Sequence, residues 1–484
     1  MTRPIVPQNV DDNELKEKIL PEVYQWALGN GLLMYPPDFK LNTANIAPFT
    51  LYPTPISRGS FEEALDVQKG FNELYAEISR DSGKNGAWLT RETEKLSESD
   101  ADFTGKLWKL YKSVRDEGIL QKLRLGVFRS DYLVDKNLDQ IKQVEFNTVS
   151  VSFAGFSTKV GEIHKYLNDF GVYGAACYDD KDIPVPTSVP EITQSFADAL
   201  KKYDSIEKNP VILMVVQRGE RNVFDQRALE YALMKEHGIK VVRMTFDEIT
   251  EKLSIDEDNK RRLSIKSTNE EVAIVYYRTG YTTSDYETDK DWEARKFLER
   301  SYAIKAPDLL IQLSGAKKIQ QLLTDNQILS KFIEDTTTRE KLSKTFVKIF
   351  PLDDSELGKI GKDLAMNNPE KYVLKPQREG GGNNIYKEDI PSYLKSLDES
   401  EWNAYILMEI IEPEPYTKNI IFRGDDFFRE SIISELGIYG TILFDEEKTY
   451  FNRNSGWLLR SKFTTSNEGG VAAGFGCLDS VVLY

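Results

Sequence analysis

At 484 residues the chain is too long for one small domain, and its length predicts two or three lobes. Apolar residues, 40% of the total, suffice for large cores, while 78 acidic against 63 basic residues give a net charge of -15. This acidic balance argues against nucleic acid as the main partner, because phosphate backbones attract basic surfaces, but a local basic pocket is compatible with an anionic small molecule.

Cysteine and histidine are too scarce for several kinds of site. Cys177 and Cys477 are far apart and provide neither a disulfide framework nor a paired metal-ligand spacing. His164 and His237 lie in helix-like contexts far from any glycine-rich motif, so we expect neither a zinc site nor a Ser-His-Asp triad. The first residues lack the apolar core of a signal peptide, and no run of about 18 apolar residues occurs, so we expect a cytoplasmic protein without a membrane span.

The first hundred or so residues have the pattern of a mainly helical region. Asp12 is predicted to cap a helix whose apolar residues recur at helical spacing as far as Trp26, and Gly-Asn-Gly at 29–31 is predicted to end it. Residues 60–63, Ser-Phe-Glu-Glu, form a capping-box pattern that starts a second helix. Between the two helices, Tyr-Pro-Thr-Pro at 52–55 predicts a rigid turn.

Strands and helices then alternate along the chain. The predicted strands are 124–128, 143–147, 211–216, 240–246 and 272–277, with a helix at 224–237. Because the pattern from residue 211 onward is strand, helix, strand, helix, strand, it predicts a small parallel α/β lobe. Ligands favour the carboxyl ends of parallel strands, which here carry Arg218 and the Arg-Thr-Gly-Tyr sequence at 278–281.

The chain beyond Pro307 has a mixed α+β pattern. Its predicted strands are 346–349, 371–375, 405–409, 420–423 and 432–437. A segment rich in small residues, 460–474, begins with the cations Arg460 and Lys462 and is predicted to be a loop. A loop of this length is uncommon unless it is functional, and small residues allow backbone amides to approach an anion or a small substrate closely.

The most informative segment is Lys-Pro-Gln-Arg-Glu-Gly-Gly-Gly-Asn-Asn at 375–384, which follows the apolar strand. It combines a lysine for phosphate oxygens, the carboxylate of Glu379 for Mg²⁺, and glycines that let the backbone approach a triphosphate. The spacing is not that of a Walker A loop. The alternative interpretation is a flexible surface hairpin.

Three other segments hold polar or flexible side chains beside strands. Glu145 and Asn147 are predicted to lie on one face of a strand. Their oxygens suit Mg²⁺, and the alternative interpretation is an ordinary exposed sheet face. Met408 and Glu409 form a candidate adenine hinge, with core packing as the alternative for Met408. Glu435 either binds ribose hydroxyls or caps a turn.

The inventory of residues favours a particular kind of chemistry. Lysines, two separated carboxylates and two glycine-rich segments are present, but no credible nucleophile or histidine base. This combination suits a reaction in which ATP activates the substrate while the protein supplies charge and position. Phosphoryl transfer to a carboxylate requires these parts.

Four segments together resemble the eukaryotic glutathione synthetase family, and its fungal branch in particular: 143–152, 220–226, 375–384 and 469–474. The resemblance covers nearly the whole chain. It implies an α+β and α/β multi-lobed ATP-grasp fold, with an inserted small parallel α/β substrate-binding lobe and a helical N-terminal region. The implied division is 1–120 for the helical region, 121–205 for strands with the Mg²⁺ and substrate motif, 206–315 for the inserted lobe and 316–484 for the ATP-grasp core.

The same resemblance implies the roles of individual residues. The implied Mg²⁺ ligands are Glu145, Asn147 and Glu379. The implied ATP site consists of Lys317, Lys375, Glu379, Gly380, Gly381, Gly382, Asn383, Asn384, Tyr386, Met408, Glu409, Ile410, Ile411, Glu435, Lys462 and Glu468. The implied peptide and product site consists of Arg129, Ser150, Ser152, Glu220, Arg221, Asn222, Gln226, Arg278, Thr279, Gly280 and Tyr281. Arg460, Val471 and Ala472 match the region around the reacting carboxylate and glycine, with Arg460, Lys375 and Lys317 as catalytic residues.

The implied reaction joins γ-glutamylcysteine to glycine with ATP and Mg²⁺, through an acyl phosphate, in a homodimer with no nucleic-acid or membrane partner. Two departures from the family pattern occur: Thr279 stands where Asp is frequent, and Glu468 stands where Asp is common. The 471–474 sequence, Val-Ala-Ala-Gly, resembles members that use glycine. The alternatives are an ATP-grasp ligase that adds another amine, such as β-alanine, and a non-catalytic nucleotide-binding protein.

Overall fold

The computed structural model describes residues 3, 4, 6, 7, 10–81, 86–136, 140–174, 177–413, 417–467, 470, 471 and 476–484. Within these residues no helix combines the length and apolarity needed to cross a membrane. The strands of the described chain are β1 Leu33–Met34, β2 Asn45–Ile46, β3 Phe49–Thr50, β4 Thr54–Ile56, β5 Arg124–Asp135, β6 Gln140–Asn147, β7 Val211–Val215, β8 Val241–Met244, β9 Leu253–Asp256, β10 Arg262–Ile265, β11 Glu271–Tyr277, β12 Ile304–Ala306, β13 Ile349–Pro351, β14 Tyr372–Pro376, β15 Ile385–Tyr386, β16 Tyr405–Glu409, β17 Thr417–Arg423, β18 Asp426–Phe444, β19 Thr449–Phe463, β20 Gly476–Asp479 and β21 Val481–Leu483.

Helices pack against the sheets that these strands form. A π-helical turn, Leu15–Ile19, joins the first two helices into one continuous segment. The α-helices of the described chain are α1 Asp12–Glu14, α2 Leu20–Asn30, α3 Arg58–Arg80, α4 Trp88–Ser99, α5 Thr104–Glu117, α6 Ala154–Asp169, α7 Ser188–Lys202, α8 Val223–His237, α9 Phe246–Lys252, α10 Asp289–Arg300, α11 Leu309–Ser314, α12 Lys317–Leu323, α13 Asn326–Phe332, α14 Thr336–Thr345, α15 Glu356–Asn367 and α16 Asp389–Lys395.

Thirteen of the described strands form one mixed sheet, whose main path runs β17-β3-β20-β19-β18-β5-β12-β11-β10-β9. Strands β7, β8, β11 and β12 pair in parallel, which confirms the predicted parallel α/β arrangement. A parallel pair between β12 and β5 joins them to the long antiparallel strands β5, β18 and β19. The α/β strands are therefore continuous with the sheet that carries Glu145 and Arg460.

A second sheet of four described strands, in the order β13-β16-β14-β15, is antiparallel. Its own small core contains Leu352, Ala365, Leu374, Leu394 and Leu407, all nearly or fully buried, between the sheet and helices α15 and α16. Burial of such side chains contributes about 1.5–3 kcal/mol each. This sheet holds the glycine-rich segment at the end of β14, opposite the larger sheet.

The N-terminal helices begin earlier than the sequence patterns indicate. The first helix is capped by Asp11, not Asp12, because the Asp11 carboxylate accepts hydrogen bonds from the N–H groups of Asn13 and Glu14. The prediction that 60–63 starts the second helix is wrong: Ser57 caps α3 and accepts a hydrogen bond from the Ser60 N–H at 3.1 Å. Ser57 has the extended backbone of an N-cap residue, with a ψ of 136°, whereas Ser60 already lies in the first turn of α3.

Several strand boundaries also differ from the prediction. The strand expected at 346–349 is β13, Ile349–Pro351, and the predicted turn at 52–55 includes the first two residues of β4. The strand predicted at 240–246 ends at Met244, because Phe246 begins α9. The loop expected from residue 460 is wrong at its start, since Arg460 and Lys462 lie in β19. That strand continues because each of its residues there pairs with both β18 and β20.

Candidate active site

A cavity of about 2050 Å³ lies between the two sheets and is lined by residues from both. Its wall includes strand β6 and the 149–153 segment on one side, and β14, β16 and the glycine-rich segment on the other. The predicted site residues on this wall are Arg129, Glu145, Asn147, Ser150, Ser152, Tyr281, Lys317, Lys375, Glu379, Gly380, Gly381, Asn383, Asn384, Tyr386, Met408, Glu409, Ile410, Ile411, Glu435, Arg460, Lys462 and Val471.

A lysine bridges two carboxylates at the centre of the cavity. The ammonium group of Lys317, the first residue of α12, lies 3.1 Å from Glu145 on β6 and 2.8 Å from Glu379 after β14. Burial acts to raise the pKa of Glu145, but Lys317, Lys375 and Arg460 outweigh it and lower that pKa. Burial raises the pKa of Glu379. The cluster therefore holds two carboxylates against one ammonium group in a largely dehydrated place.

A second lysine aims at the same region, where, among the described residues, no carboxylate contacts its ammonium group. Lys375 on β14 is 5% exposed, and its ammonium group donates to the carbonyl of Val144 at 3.0 Å. Burial lowers the pKa of Lys375 despite the opposing effect of Glu145. A buried ammonium group with a single neutral acceptor is an electrostatic site for an anion, because added negative charge stabilises its protonated form.

The glycine triplet adopts a backbone that other residues avoid. Gly380, Gly381 and Gly382 all have left-handed φ values, +93°, +72° and +75°. Only glycine adopts this conformation without strain. A Cβ atom on Gly380 would lie 3.1 Å from the ring of Tyr281, so the absence of a side chain also permits close packing against the α/β lobe. The Asn383 side chain donates to the Glu379 and Gly381 carbonyls and fixes the turn.

An apolar slot lies beside the lysines. A buried cluster contains Ile349 from β13, Val373 from β14, Met408 from β16 and Ile411 from the segment after β16. Tyr386 packs against it. The N–H groups at 409 and 410 donate to the carbonyls of residues 348 and 371, which ties this edge to the neighbouring strands. These apolar side chains line the cavity, where they can pack against an apolar ring.

Arg460 forms the far side of the charged cluster. Its guanidinium group contacts Glu435 on β18 and lies 3.1 Å from Asp131, which also accepts two hydrogen bonds from Arg129 at 2.6 and 2.8 Å. Burial raises the pKa of Glu435, and Arg460 opposes this effect. The Asn147 amide donates to the same Asp131 carboxylate at 3.0 Å. Asp131 is thus the fixed anion that orients two arginines toward the cavity.

The 150–153 segment is held from behind by the α/β lobe. Ser150 and Phe153 have φ values of +54° and +75°, a left-handed conformation that costs about 1–3 kcal/mol for such residues. Arg278 donates to the Val151 carbonyl and, at 2.7 Å, to the Ser152 hydroxyl. Asp225 accepts hydrogen bonds from the N–H groups of Phe153, Gly155 and Phe156 at 2.8–3.2 Å.

Eight further predicted residues, although described, do not line this cavity. Glu220 accepts from the Gln226 amide at 2.6 Å and from the Asn222 N–H at 2.7 Å, and its charge helps to raise the pKa of Arg278. Arg221 donates to the Tyr35 carbonyl, and Thr279 lines a separate cavity of about 240 Å³. These residues form a layer behind Ser152 and Tyr281. The eight are Glu220, Arg221, Asn222, Gln226, Arg278, Thr279, Gly280 and Gly382, while Glu468 and Ala472 lie outside the described residues.

Sequence reasoning missed three acidic residues that orient the site. Asp131 is two residues from Arg129 on one strand. Side chains two residues apart lie on the same face of a strand, as with Glu145 and Asn147, so the sequence would have indicated that Asp131 and Arg129 share a face. Asp225 follows a strand end at the start of α8, and Asp285 accepts from the N–H groups of 280–282 at 2.9–3.2 Å. For Asp225 and Asp285 the sequence carries no comparable signal, because their acceptor role depends on the folded loops.

Two facing sheets, with lysines, carboxylates and a glycine-rich segment in the cleft between them, define an ATP-dependent ligase of the ATP-grasp type. The family model described as "Eukaryotic glutathione synthase, ATP binding domain" matches residues 13–483. The chain therefore belongs to the eukaryotic glutathione synthase family.

Curated relatives match over nearly the full chain. The glutathione synthetase large chain of Schizosaccharomyces pombe is 39% identical, over 91% of this chain and 92% of that protein. The glutathione synthetases of Dictyostelium discoideum and Homo sapiens are 38% and 37% identical, over 97% of this chain and 99% and 98% of their own. A solved structure, a glutathione synthetase-like effector from Globodera pallida in its apo form, shares the fold with a TM-score of 0.76. It is 24% identical and covers 99% of this chain and 100% of that one.

Proposed function

We propose that this protein ligates glycine to γ-glutamylcysteine in an ATP-dependent reaction that yields glutathione, ADP and phosphate. The observation that carries the proposal is the convergence of Glu145, Glu379 and Lys317 in one cleft, next to the glycine-rich segment and to Lys375. Membership of the eukaryotic glutathione synthase family supports this substrate set.

The nucleotide is assigned to the side of the cleft formed by the smaller sheet. The adenine ring would occupy the apolar slot at Met408 and Ile411, and the phosphates would extend toward Lys317 and Lys375. Both ammonium groups would then neutralise negative charge on the transferred phosphoryl group. The left-handed glycine segment would bring backbone N–H groups close to the same phosphates.

The carboxylates fit Mg²⁺ on the observation that Glu145 and Glu379 both contact one cation, the Lys317 ammonium group. Among the described residues no three His, Cys, Asp or Glu side chains form a ready metal site. This suits Mg²⁺, which takes one or two carboxylates and completes its shell with phosphate oxygens and water. Glu145, Glu379 and Asn147 would hold it, and when bound it would neutralise negative charge on the phosphates.

The peptide is assigned to the side formed by Arg129, Ser150 and Ser152, with the layer from Glu220 to Gln226 behind it. Its cysteinyl carboxylate would attack the γ-phosphorus, and ADP would leave with the electron pair of the broken P–O bond. The glycine amine would then attack the acyl carbon, lose a proton, and release inorganic phosphate. Arg460, oriented by Asp131 and Glu435, would stabilise the negative oxygen of the tetrahedral intermediate.

A homodimer in the cytoplasm completes the proposal. Support for an association surface comes from exposed apolar side chains on α2, on the segment after β1 and on α8: Leu28, Phe39, Leu41, Tyr231 and Met234. Clusters of exposed apolar residues mark interaction sites when they are contiguous. Sedimentation velocity at micromolar concentration tests the dimer, and a single species of monomer mass would contradict it.

Phosphate release that requires both γ-glutamylcysteine and glycine is the direct test of the function. The purified protein is expected to release phosphate from ATP only when both are present, and to form one amide bond per phosphate. Parallel assays with β-alanine and serine distinguish the alternative ligases. A preference for either amine over glycine would contradict the assignment, and phosphate release without an amine would contradict ligation.

A further inference from the structure

The residue before Glu379 ties the glycine-rich loop, here residues 377–382, to the N-terminal helices. The guanidinium group of Arg378 lies 2.7 Å from Asp100 and 2.8 Å from Asp102, which follow helix α4. The same group lies over the ring of Phe103, 5.6 Å from its centre. One side chain thus contacts three of four successive residues in a different part of the fold.

One of the two carboxylates in this contact is buried. Asp100 is 5% exposed, and it also accepts a hydrogen bond from the Thr104 N–H at 3.1 Å, in the first turn of α5. Burial acts to lower the pKa of Arg378, but Asp100 and Asp102 outweigh it and raise that pKa. The guanidinium group therefore stays charged, and it donates one charge-assisted hydrogen bond to each of the two carboxylates.

After residue 379 the Asn383 side chain closes the turn by donating to the Glu379 and Gly381 carbonyls. Three consecutive glycines with left-handed φ values follow, and glycine has the largest backbone freedom in the absence of tertiary contacts. Before them, the Gln377 side chain accepts from the Lys318 N–H at 3.1 Å and donates to the Ala404 carbonyl at 3.0 Å. The side chains of 377, 378 and 379 thus reach three different anchors immediately before the flexible triplet.

We propose that Arg378 is a positioning residue whose clamp on Asp100 and Asp102 holds the glycine-rich loop in the shape that receives the phosphates of ATP. The inference rests on the proposed function, in which Glu379 and the loop amides meet those phosphates. Without the clamp, nucleotide binding has to order the loop as well, and that ordering free energy is lost from affinity. Among the described residues, the contacts of Arg378 do not include Arg129, Ser150 or Ser152, so we expect peptide affinity to change little.

The test compares Arg378→Ala with a matched control, Arg429→Ala. Arg429 also contacts an aspartate, Asp12 at 2.9 Å, and lies over a phenylalanine ring, Phe427 at 5.9 Å. The two arginines have similar side-chain exposure, 21% and 32%. The measurements are KM for ATP and for γ-glutamylcysteine, kcat, melting temperature, and the dissociation constant of a fluorescent methylanthraniloyl-ADP.

Arg378→Ala is expected to raise KM for ATP and the ADP-analogue dissociation constant about tenfold, the loss that charge-assisted hydrogen bonds predict. KM for the peptide and the parameters of Arg429→Ala are expected to change by less than about twofold. Arg378→Lys keeps the charge but lacks the planar guanidinium group, and its affinity for the nucleotide is expected to fall about threefold. Asp102→Asn, at a side chain that is 67% exposed, provides the test if Arg378→Ala does not fold.

Two results would overturn the proposal: nucleotide parameters of Arg378→Ala equal to those of Arg429→Ala, or an equal rise in KM for both substrates. If Arg378→Ala does not fold, wild-type ADP affinity in Asp102→Asn would overturn it. A double-mutant cycle between Arg378→Ala and Asp102→Asn is expected to be non-additive for nucleotide affinity. The fluorescent ADP assay needs no turnover. If the wild-type protein binds this analogue but does not ligate, the proposed function is contradicted. The effect of Arg378→Ala on binding of the analogue still tests the clamp.

Discussion

The two ends of the cleft hold their charged side chains in different ways. At the nucleotide end, Lys317 forms ion pairs with Glu145 and Glu379, so the charged side chains contact one another. At the peptide end, Arg278 and Asp225 are almost fully buried and mainly contact the backbone of the 151–156 segment. We expect the first arrangement to exchange partners when a phosphate or a cation enters, whereas the second holds the backbone of its own segment.

This difference separates two physical tasks. A buried ion pair is costly to break by removing one partner, yet it contributes little net stability when intact, so it can be rearranged around a new charge. Hydrogen bonds from a charged group to backbone fix a strained segment in one shape. We therefore expect substitutions at the nucleotide end to remove chemistry, and substitutions at the peptide end to change substrate affinity and stability.

Glu145→Gln is expected to have the largest effect. The change keeps the side-chain volume but removes one of the two negative charges that converge on the Lys317 ammonium group. Turnover is expected to fall by about 10³-fold, as when one preorganised electrostatic group is lost from an active site. Phosphate release with saturating ATP, peptide and glycine measures the effect.

The control for that change is Glu446→Gln, at an ion pair of nearly equal length with Lys122, 3.2 Å against 3.1 Å. The control is expected to keep full turnover, because Glu446 does not line the cleft. Circular dichroism spectra of both variants should match the wild type. Near-normal turnover in Glu145→Gln would rule out its assignment to the metal and phosphate chemistry.

Arg460→Met is expected to have the next largest effect and to distinguish the acyl-transfer step from nucleotide binding. Its guanidinium group contacts Asp131 and Glu435, between the nucleotide lysines and the peptide segment. If it stabilises the tetrahedral oxyanion, kcat should fall about 10²-fold while KM for ATP changes by less than about twofold.

Arg453→Met is the matched control, because Arg453 lies in the same strand and pairs with Asp198 at 2.8 Å, away from the cavity. It is expected to retain wild-type kcat. A variant of Arg460 with unchanged kcat, or with a rise in KM for ATP as large as its loss of kcat, would remove Arg460 from the acyl-transfer step.

The parts of the fold that depend on local pattern could be predicted from the sequence. The strand predicted at 405–409 has those bounds, and 211–216 differs from β7 by one residue. In both cases a short apolar run is bounded by polar or turn residues, so the local signal and the burial agree. The glycine-rich segment after β14 was predictable for the same reason, since glycines and a lysine follow a buried strand directly.

The partners of these residues could not be predicted in the same way. Arg378 and Asp100 are 278 positions apart in sequence, and no spacing rule relates them. The segment from 460 appeared to be a loop because small residues follow it, whereas pairing with β18 and β20 extends the strand. The sequence therefore indicates which chemistry is present, while the orientation of each charged group depends on long-range contacts.

Asp225→Asn tests the peptide end. The amide keeps the shape but loses the negative charge and one acceptor for the N–H groups of 153–156. We expect unfolding free energy to fall by about 2 kcal/mol, the cost of unsatisfied buried donors, and KM for γ-glutamylcysteine to rise about fivefold with unchanged KM for ATP. Urea unfolding and steady-state kinetics measure the two effects.

Asp291→Asn is the control for this change. Asp291 is also fully buried, accepts a hydrogen bond from the Thr288 N–H at 2.8 Å, and pairs with Arg218 at 2.8 Å. It should lose similar stability without any change in KM for the peptide. If the two variants raised that KM equally, the effect would be general loosening, and Asp225 would not position the substrate segment.

The smallest expected effect is a pH dependence that belongs to the nucleotide end. Burial raises the pKa of Glu379 above its ordinary value of 4.5, so the folded protein binds this proton more tightly than the unfolded chain. Stability from this group is therefore present below pH 4.5 and is lost as the pH rises through the folded pKa. Glu379→Gln, which cannot titrate, removes that contribution.

Urea unfolding from pH 4.5 to 7.5 is expected to show a wild-type minus Glu379→Gln difference in unfolding free energy that declines with pH. Saturating Mg²⁺ and a non-hydrolysable ATP analogue are expected to flatten this decline, because a bound cation would keep the carboxylate ionised in the folded state. A difference that rises with pH would show that Lys317 alone determines the charge of Glu379. The protein alone would then determine the charge at the nucleotide end, before any ligand binds.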